Sequence, residues 1–489
     1  MALFDIKNLG SENFKPGDTV ILKDGTYNNL KVVIKSQGQS GKRIYIKPQN
    51  PGKVILTGSS TITISGSYTT LANLVLKNGG VTSRAVIIGG NNNRVTGFDV
   101  GYSLTDSEQM FRIEGKYSRL DHCRFHDWNR VGVWVVVWRS LQRDDYALID
   151  HNLFINRTPT GDANGLECIR IGTSADSLGS SKTMVLNNKL SNCNGEIEII
   201  SNKSCDNIYY RNTIEKSQGT LTLRHGNGAV VYRNRFDQGD VADSGGIRIT
   251  GENHIVANNL FRDINGNGTT RTGISINNGV KDSPLNGYYQ VKNAQIKNNV
   301  FINCSNDFAV GVKVKTECVL KPVGSTISGS VAYHAGSEAS FSTSATCLGS
   351  DDMSYIDNKI YGKDLGKAPN TDGIKLLDPS SFDMTGFQST EADLYGPNEP
   401  VGYEWDKNPE DSEIAVTLEE YYTTLRAKLL AEISVQTPTP TPPPTPPPTP
   451  PPNPDQIIVD KVVYDRLTQV DLAVKTFITQ INELNKSTN

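Results

Sequence analysis

One line of apolar and polar positions recurs along the chain: two or three apolar or aromatic residues, a polar residue, an asparagine, then x-Phe or an aliphatic. It reads ALIDHNLF (147–154), MVLNNKL (184–190), IYYRNTI (208–214), VVYRNRF (230–236), HIVANNLF (254–261), QIKNNVF (295–301) and SYIDNKI (354–360). The matched asparagines are Asn152, Asn188, Asn212, Asn234, Asn259, Asn299 and Asn358, separated by 36, 24, 22, 25, 40 and 59 residues. A base period of 22–25 with longer insertions describes one supersecondary unit stacked many times. The units are short β-branched runs broken by Asn and Gly, without helical periodicity, so they predict strands and turns. Neither the long amphipathic stretches of a helical solenoid nor the Leu-x-x-Leu-x-Leu line of leucine-rich repeats is present. Three short strands per coil predict an all-β, parallel β-helix, with the repeated asparagines stacked as an amide ladder at one turn.

The repeat runs from about residue 17 to about 365, opened by the strand-turn-strand segments PGDTVILKDGTY (16–27) and PGKVILTGSSTITISG (51–66). Residues 366–412 read as loop, and LEEYYTTLRAKLLAEI (418–433) as one amphipathic helix. This gives a body over 1–435, a Pro/Thr-rich linker over 436–454 and a terminal amphipathic segment over 455–489. The linker is a stiff polyproline spacer. In the terminal segment Val463, Leu467, Val470, Val474, Phe477, Ile481 and Leu484 alternate in steps of four and three. That seam serves a helix docked on the body or a coiled coil that makes a homo-oligomer.

Composition agrees with an elongated stack: 36% apolar residues and 44 glycines in 489 residues suit a shape with much surface per unit of core. The net charge of −3 argues against a general nucleic-acid binder. The longest apolar run, Val131 to Trp138, is too short to span a bilayer. Seven cysteines show no CxxC pair or zinc spacing, and the odd count leaves a free thiol. The amino terminus lacks the apolar stretch of a secretory signal, so extracellular or periplasmic action implies a trimmed signal or another route, a virion-associated protein being the alternative.

Candidate chemistry sits on the strands. In Gly195-Glu196-Ile197-Glu198-Ile199-Ile200, alternation places Ile197 and Ile199 in the core and points Glu196 and Glu198 outward together. Adjacent carboxylates repel unless a proton or cation lies between them, and hard oxygen ligands suit Ca²⁺; a solvated acidic pair is the plainer reading. Ile169-Arg170-Ile171, Leu223-Arg224 and Ile247-Arg248-Ile249 repeat the in-out logic, and Arg224 follows Lys203 by 21 residues, close to one coil. Stacking sets Arg170, Glu196, Glu198, Lys203, Arg224 and Arg248 along one groove, a cleft for an anionic polymer.

The segments NGLECIRIG (164–172), EIEIISNKS (196–204), NTIEKSQGTLTLRHG (212–226) and GGIRITGENHIVANNLF (245–261) resemble polysaccharide lyase family six, which includes alginate lyases and the dermatan-cleaving chondroitinase B. The resemblance covers roughly residues 14–365 and implies a right-handed parallel β-helix. It implies a Ca²⁺ site from Asn164, Glu196 and Glu198, with Glu167 a further contributor. It also implies Lys203 as Brønsted base, Arg224 as Brønsted acid, and His225, Arg248 and Arg170 lining the substrate cleft. In such a reaction the C5 proton of a uronate is removed while Ca²⁺ neutralises the adjacent carboxylate, Lys203 takes the proton as a neutral amine, Arg224 bonds the O4 leaving group, and a C4–C5 double bond remains. The NGLExIRIG and LTLRHGN lines favour alginate over dermatan sulfate. The competing readings are a non-catalytic β-helix that grips polyuronate, as an adhesin or viral fibre does, and a pectin hydrolase, which would want paired Asp acids.

Overall fold

A computed structural model describes residues 3–139, 143–159, 164–336, 338–343, 353–368 and 372–435. The terminal segment with its seam, the Pro-rich linker and Cys347 lie outside these residues. The backbone winds through three parallel sheets of 13, 14 and 13 strands, each coil giving one strand to each sheet. The molecule is a right-handed parallel β-helix. A short antiparallel pair, Gly279–Val280 with Cys318–Leu320, rises from one side.

The recurring line forms the turn between the first and second sheets. The polar residue before each asparagine adopts a left-handed backbone: His151 (φ 54°), Asn187 (53°), Arg211 (55°), Arg233 (54°), Asn258 (51°), Asn298 (51°) and Asp357 (47°). The asparagine then turns inward. Asn188 Nδ2 donates to Asn212 Oδ1 at 3.0 Å and to the Ile149 carbonyl one coil back at 2.9 Å, and its Oδ1 accepts from the Asn152 backbone N–H at 3.0 Å. The same pattern runs unbroken from Asn152 to Asn299. Ser330 holds the next rung and accepts no amide; its N–H donates to Asn358 Oδ1 at 3.1 Å, which explains the double spacing there. Beside the ladder the Phe residues of three consecutive lines stack: Phe236 on Phe261 at 5.0 Å and Phe261 on Phe301 at 4.8 Å.

The stack continues past the sequence-predicted end, with Ile374–Leu377 closing the second sheet. The segment expected to be loop also holds helix α1 (Met384–Leu394), whose Asp383 caps the Gly386 N–H. Its short apolar stripe, Phe387 with the following Tyr395, packs on Leu260, Val300 and Ile302 of the second sheet. The chain then descends the stack: Arg211 donates to the Gly396 carbonyl, Trp405 Nε1 to Gly97, and Lys47 pairs with Glu410 at 3.3 Å. It reverses into helix α2 (Leu418–Ser434), opened by a Thr417/Glu420 capping box. Its buried stripe, Leu418, Tyr422, Leu429 and Ile433, covers Tyr146, Met184, Ile208 and Tyr232 on the first sheet. This is the amphipathic helix the sequence predicts. The six described cysteines are buried and free, and no described helix is long and apolar enough to cross a membrane.

Candidate active site

The charged residues converge on the outer face of the third sheet, on the strands Ile169–Gly172, Glu198–Lys203, Gly219–His225 and Ser244–Ile249. Register places Arg170 beside Ser201, Ser201 beside Thr222 and Thr222 beside Arg248, so the arginines share one file. Lys203 lies between Gly172 and His225.

Two irregularities aim the site. Glu198 pairs with Thr220 but Ile200 with Leu221, and Asn202 pairs with Leu223 but Lys203 with His225. Ile199 is therefore an extra residue on one strand and Arg224 on the other, each a β-bulge that redirects side chains. This corrects the simple alternation expected for 195–200: Ile199 and Ile200 are both buried, Ile197 is half-buried, and Glu196 precedes the strand, 9% exposed. Glu196 and Glu198 still meet at one place, through the bulge.

Glu198 is the hub. Its Oε1 lies 2.7 Å from Arg248 Nη2 and 3.6 Å from Arg224 Nε, and its Oε2 accepts from Ser201 Oγ at 2.6 Å. Burial pushes its carboxyl up, but Arg248, Lys203, Ser201 and Arg224 outweigh burial and hold it below the usual carboxylate range. Glu167, 1% exposed, has Oε1 3.7 Å from Lys203 Nζ and 3.6 Å from Arg170 Nη1. Its Oε2 is buried without a hydrogen bond. Burial, then Glu167 and Glu198, push Glu196 up to about 9.

Arg224 is clamped. Its Nη1 donates to the Gly287 carbonyl at 2.7 Å, its Nη2 to Asn286 at 3.2 Å, and its guanidinium stacks 4.0 Å from the Tyr288 ring centroid. Burial lowers its pKa. Arg224 Nη1 also approaches His225 Nδ1 at 3.4 Å, so that nitrogen accepts and Nε2–H faces Ser174 Oγ at 3.2 Å. Burial, Arg224 and Lys203 drop His225 to about 3, a neutral imidazole across the ordinary pH range. The clamp of Asn286, Gly287 and Tyr288 was not legible in the sequence, because it comes from a loop without periodic pattern.

The structure thus brings together Glu167, Arg170, Glu196, Glu198, Lys203, Arg224, His225 and Arg248. Asn164 is exposed at a loop edge. Among the described residues no three His, Cys, Asp or Glu side chains are gathered as a metal-ligand set. The donor chemistry nevertheless fits a hard divalent cation. A buried carboxylate oxygen lacks a partner, and a neighbouring carboxyl is forced towards its protonated form by burial and by two other carboxylates. A cation relieves such crowding.

This fold belongs to a known class of protein. The family model described as Chondroitinase B matches residues 7–328, so the chain belongs to that family of polysaccharide lyases. Among solved structures it is similar to the PL6 (polysaccharide lyase family six) alginate lyase AlyGC at 30% identity and a TM-score of 0.70, over 76% of this chain and 52% of that one. It is likewise similar to a mannuronic acid specific family 6 lyase from human gut microbiota at 26% identity and a TM-score of 0.71, over 86% of this chain and 96% of that one. The chain spans about half the length of AlyGC. No curated protein matches it.

Proposed function

We propose that this protein cleaves alginate, or a closely similar polyuronate, by β-elimination, leaving a C4–C5 unsaturated uronate on the product. The observation that carries the reading is that Lys203 and Arg224 stand on adjacent coils around Glu198, whose carboxyl both cations act on, with Glu167 on the far side of Lys203. A base and a leaving-group partner must approach the same sugar ring from fixed positions, and the β-helix supplies that rigidity.

Lys203 Nζ accepts the C5 proton as a neutral amine. Arg224, immobilised by two carbonyls and the Tyr288 ring, sets its N–H groups towards O4, where negative charge gathers as the bond breaks. Its role is electrostatic, with water completing the proton transfer. Arg170 and Arg248 attract the uronate carboxylates, and neutral His225, held between Arg224 and Ser174, backs the site without adding charge. Glu167, Glu196 and Glu198, with Asn164 closing from the loop, are the residues that would hold Ca²⁺. When bound, Ca²⁺ neutralises the substrate carboxylate and makes the C5 proton removable.

The alginate lyase activity of the similar structures supports this substrate, and a polymeric substrate favours work outside the cytoplasm. The Chondroitinase B match supports dermatan sulfate as the second substrate to test. Ultraviolet assay for unsaturated product on poly-guluronate, poly-mannuronate, alternating alginate and dermatan sulfate, each with and without chelator, decides among them. Product from dermatan sulfate alone makes the protein a dermatan lyase. Binding of every polymer with cleavage of none makes it a binding module.

A further inference from the structure

The file of outward arginines extends beyond the residues that surround Lys203. Arg112, in the triplet Phe111-Arg112-Ile113, repeats the pattern of Ile169-Arg170-Ile171 and Ile247-Arg248-Ile249. Register carries the file from Arg112 through Val136 to Arg170, and on through Ser201 and Thr222 to Arg248. At about 4.8 Å between strands, these five steps span about 24 Å. Trp138 follows Val137, the register partner of Ile171, and so stands level with Gly172, itself the partner of Lys203. The indole therefore lies two coils from the amine, about 10 Å along the axis.

The strand position between them is Gly172, beside the buried Arg139 side chain, whose Cδ lies 3.1 Å from where a Cβ would stand. Gly172 has φ +84°, and a Cβ there would meet the Lys203 carbonyl at 2.6 Å, so the intervening position carries no side chain. Trp138 is half-buried, and the Arg112 guanidinium lies over its ring at 3.9 Å from the coil below. Arg112 Nε is 2.7 Å from Glu114 Oε1, at an angle that makes no hydrogen bond, and Glu114 is itself 37% exposed. A flat apolar surface braced by a cation that is only partly engaged matches a uronate, which offers a C–H face and a carboxylate.

We propose that Arg112 and Trp138 form a further uronate-binding subsite, two coils from Lys203, that holds a sugar outside the pair being cut. The inference rests on the polyuronate reading above. It makes Trp138 a determinant of chain length: long substrates reach it and the shortest cleavable oligomer does not. The test compares kcat/KM of wild type and Trp138→Ala on oligouronates of defined length. A loss of about fivefold on long oligomers, with the shortest unaffected, is expected from removal of one aromatic contact. Equal losses on long and short substrates, or no loss on either, overturn the subsite.

A binding measurement keeps the test independent of catalysis and of the alanine variant's folding. Trp128 and Trp134 are fully buried and Trp405 stacks on Tyr403 in the descending strap. Long oligouronates should therefore change the tryptophan fluorescence of Lys203→Ala, and the change should vanish in Lys203→Ala/Trp138→Phe. The same response in both proteins sinks the proposal. If wild type releases no unsaturated product yet the response depends on Trp138, the subsite stands and the cleavage reading falls.

Discussion

Arg248 reaches back over two coils to place Nη2 2.7 Å from Glu198 Oε1. The pair is nearly buried, with side chains 4% and 13% exposed. Arg248→Ala leaves the carboxylate without its nearest counter-charge, which costs about 3 kcal/mol of stability. Denaturant unfolding measures it, and Arg248→Lys should recover part of the loss. Wild-type stability in the alanine variant would show that Arg224 and Lys203 suffice.

Lys203→Ala should lower kcat about 10²–10⁴-fold with polymer binding and melting temperature nearly unchanged, because a general base acts only in the transition state. Retention of a tenth of the wild-type rate removes Lys203 from that role.

Arg224→Lys should fail as well. An ammonium cannot donate to Asn286 and Gly287 together while stacking on Tyr288. Steady-state kinetics should show kcat lowered far more than KM is raised. Unchanged kcat would mean that charge alone, without the planar fork, serves at O4.

His254 links stability to pH away from the site. Burial lowers its pKa to about 4. Its Nδ1 accepts from the Ala229 N–H at 3.1 Å and its Nε2 faces the Thr250 carbonyl at 2.9 Å. A histidine depressed on folding stabilises the fold fully above its ordinary value of 6.5 and progressively less as pH falls towards the folded value. Asn207 plays the same part on another coil, accepting from the Thr183 N–H. His254→Asn should therefore flatten the fall in melting temperature between about pH 6.5 and 4. An unchanged acid slope would assign the loss to other groups.

Asn212→Ala should destabilise more than an ordinary surface substitution. It strips the Asn188 N–H of its acceptor in the core and removes the amide that donates to the Val185 carbonyl across the turn. Each unsatisfied buried group costs about 1–3 kcal/mol. Asn212→Ser, the residue that Ser330 places on its rung, should be milder. Unfolding midpoints that rank the two variants in the opposite order would refute the ladder's energetic role.

The ladder was legible in the sequence because one amide must recur wherever one turn recurs, and the left-handed residue before it restricts that position mostly to Asn, Asp, His or Arg. Arg170 and Arg248 were legible for a similar reason, since strand alternation fixes a face, and Lys203 through its spacing of about one coil from Arg224 and the family resemblance. Glu196 was placed beside Glu198 by the wrong geometry: a bulge at Ile199 depends on the neighbouring strand, and no local pattern announces it. Helix α1 escaped notice because its apolar contacts are few and its stability comes from docking. Arg112 carried the same triplet signature as Arg170 but stood far from the recognised motifs.

The descending strap and α2 touch coils that never touch one another. Glu413 meets Arg94 at 3.2 Å on an early coil, and Glu432 meets Tyr232 at 2.9 Å five coils further on. A bare solenoid senses only nearest neighbours, so its ends can fray while its middle holds. Here a single returning segment couples early coils to late ones, and losing it at one place loosens its hold at the others. Unfolding should accordingly be concerted across the stack, and cutting the chain near Tyr395 should turn one sharp transition into a graded one.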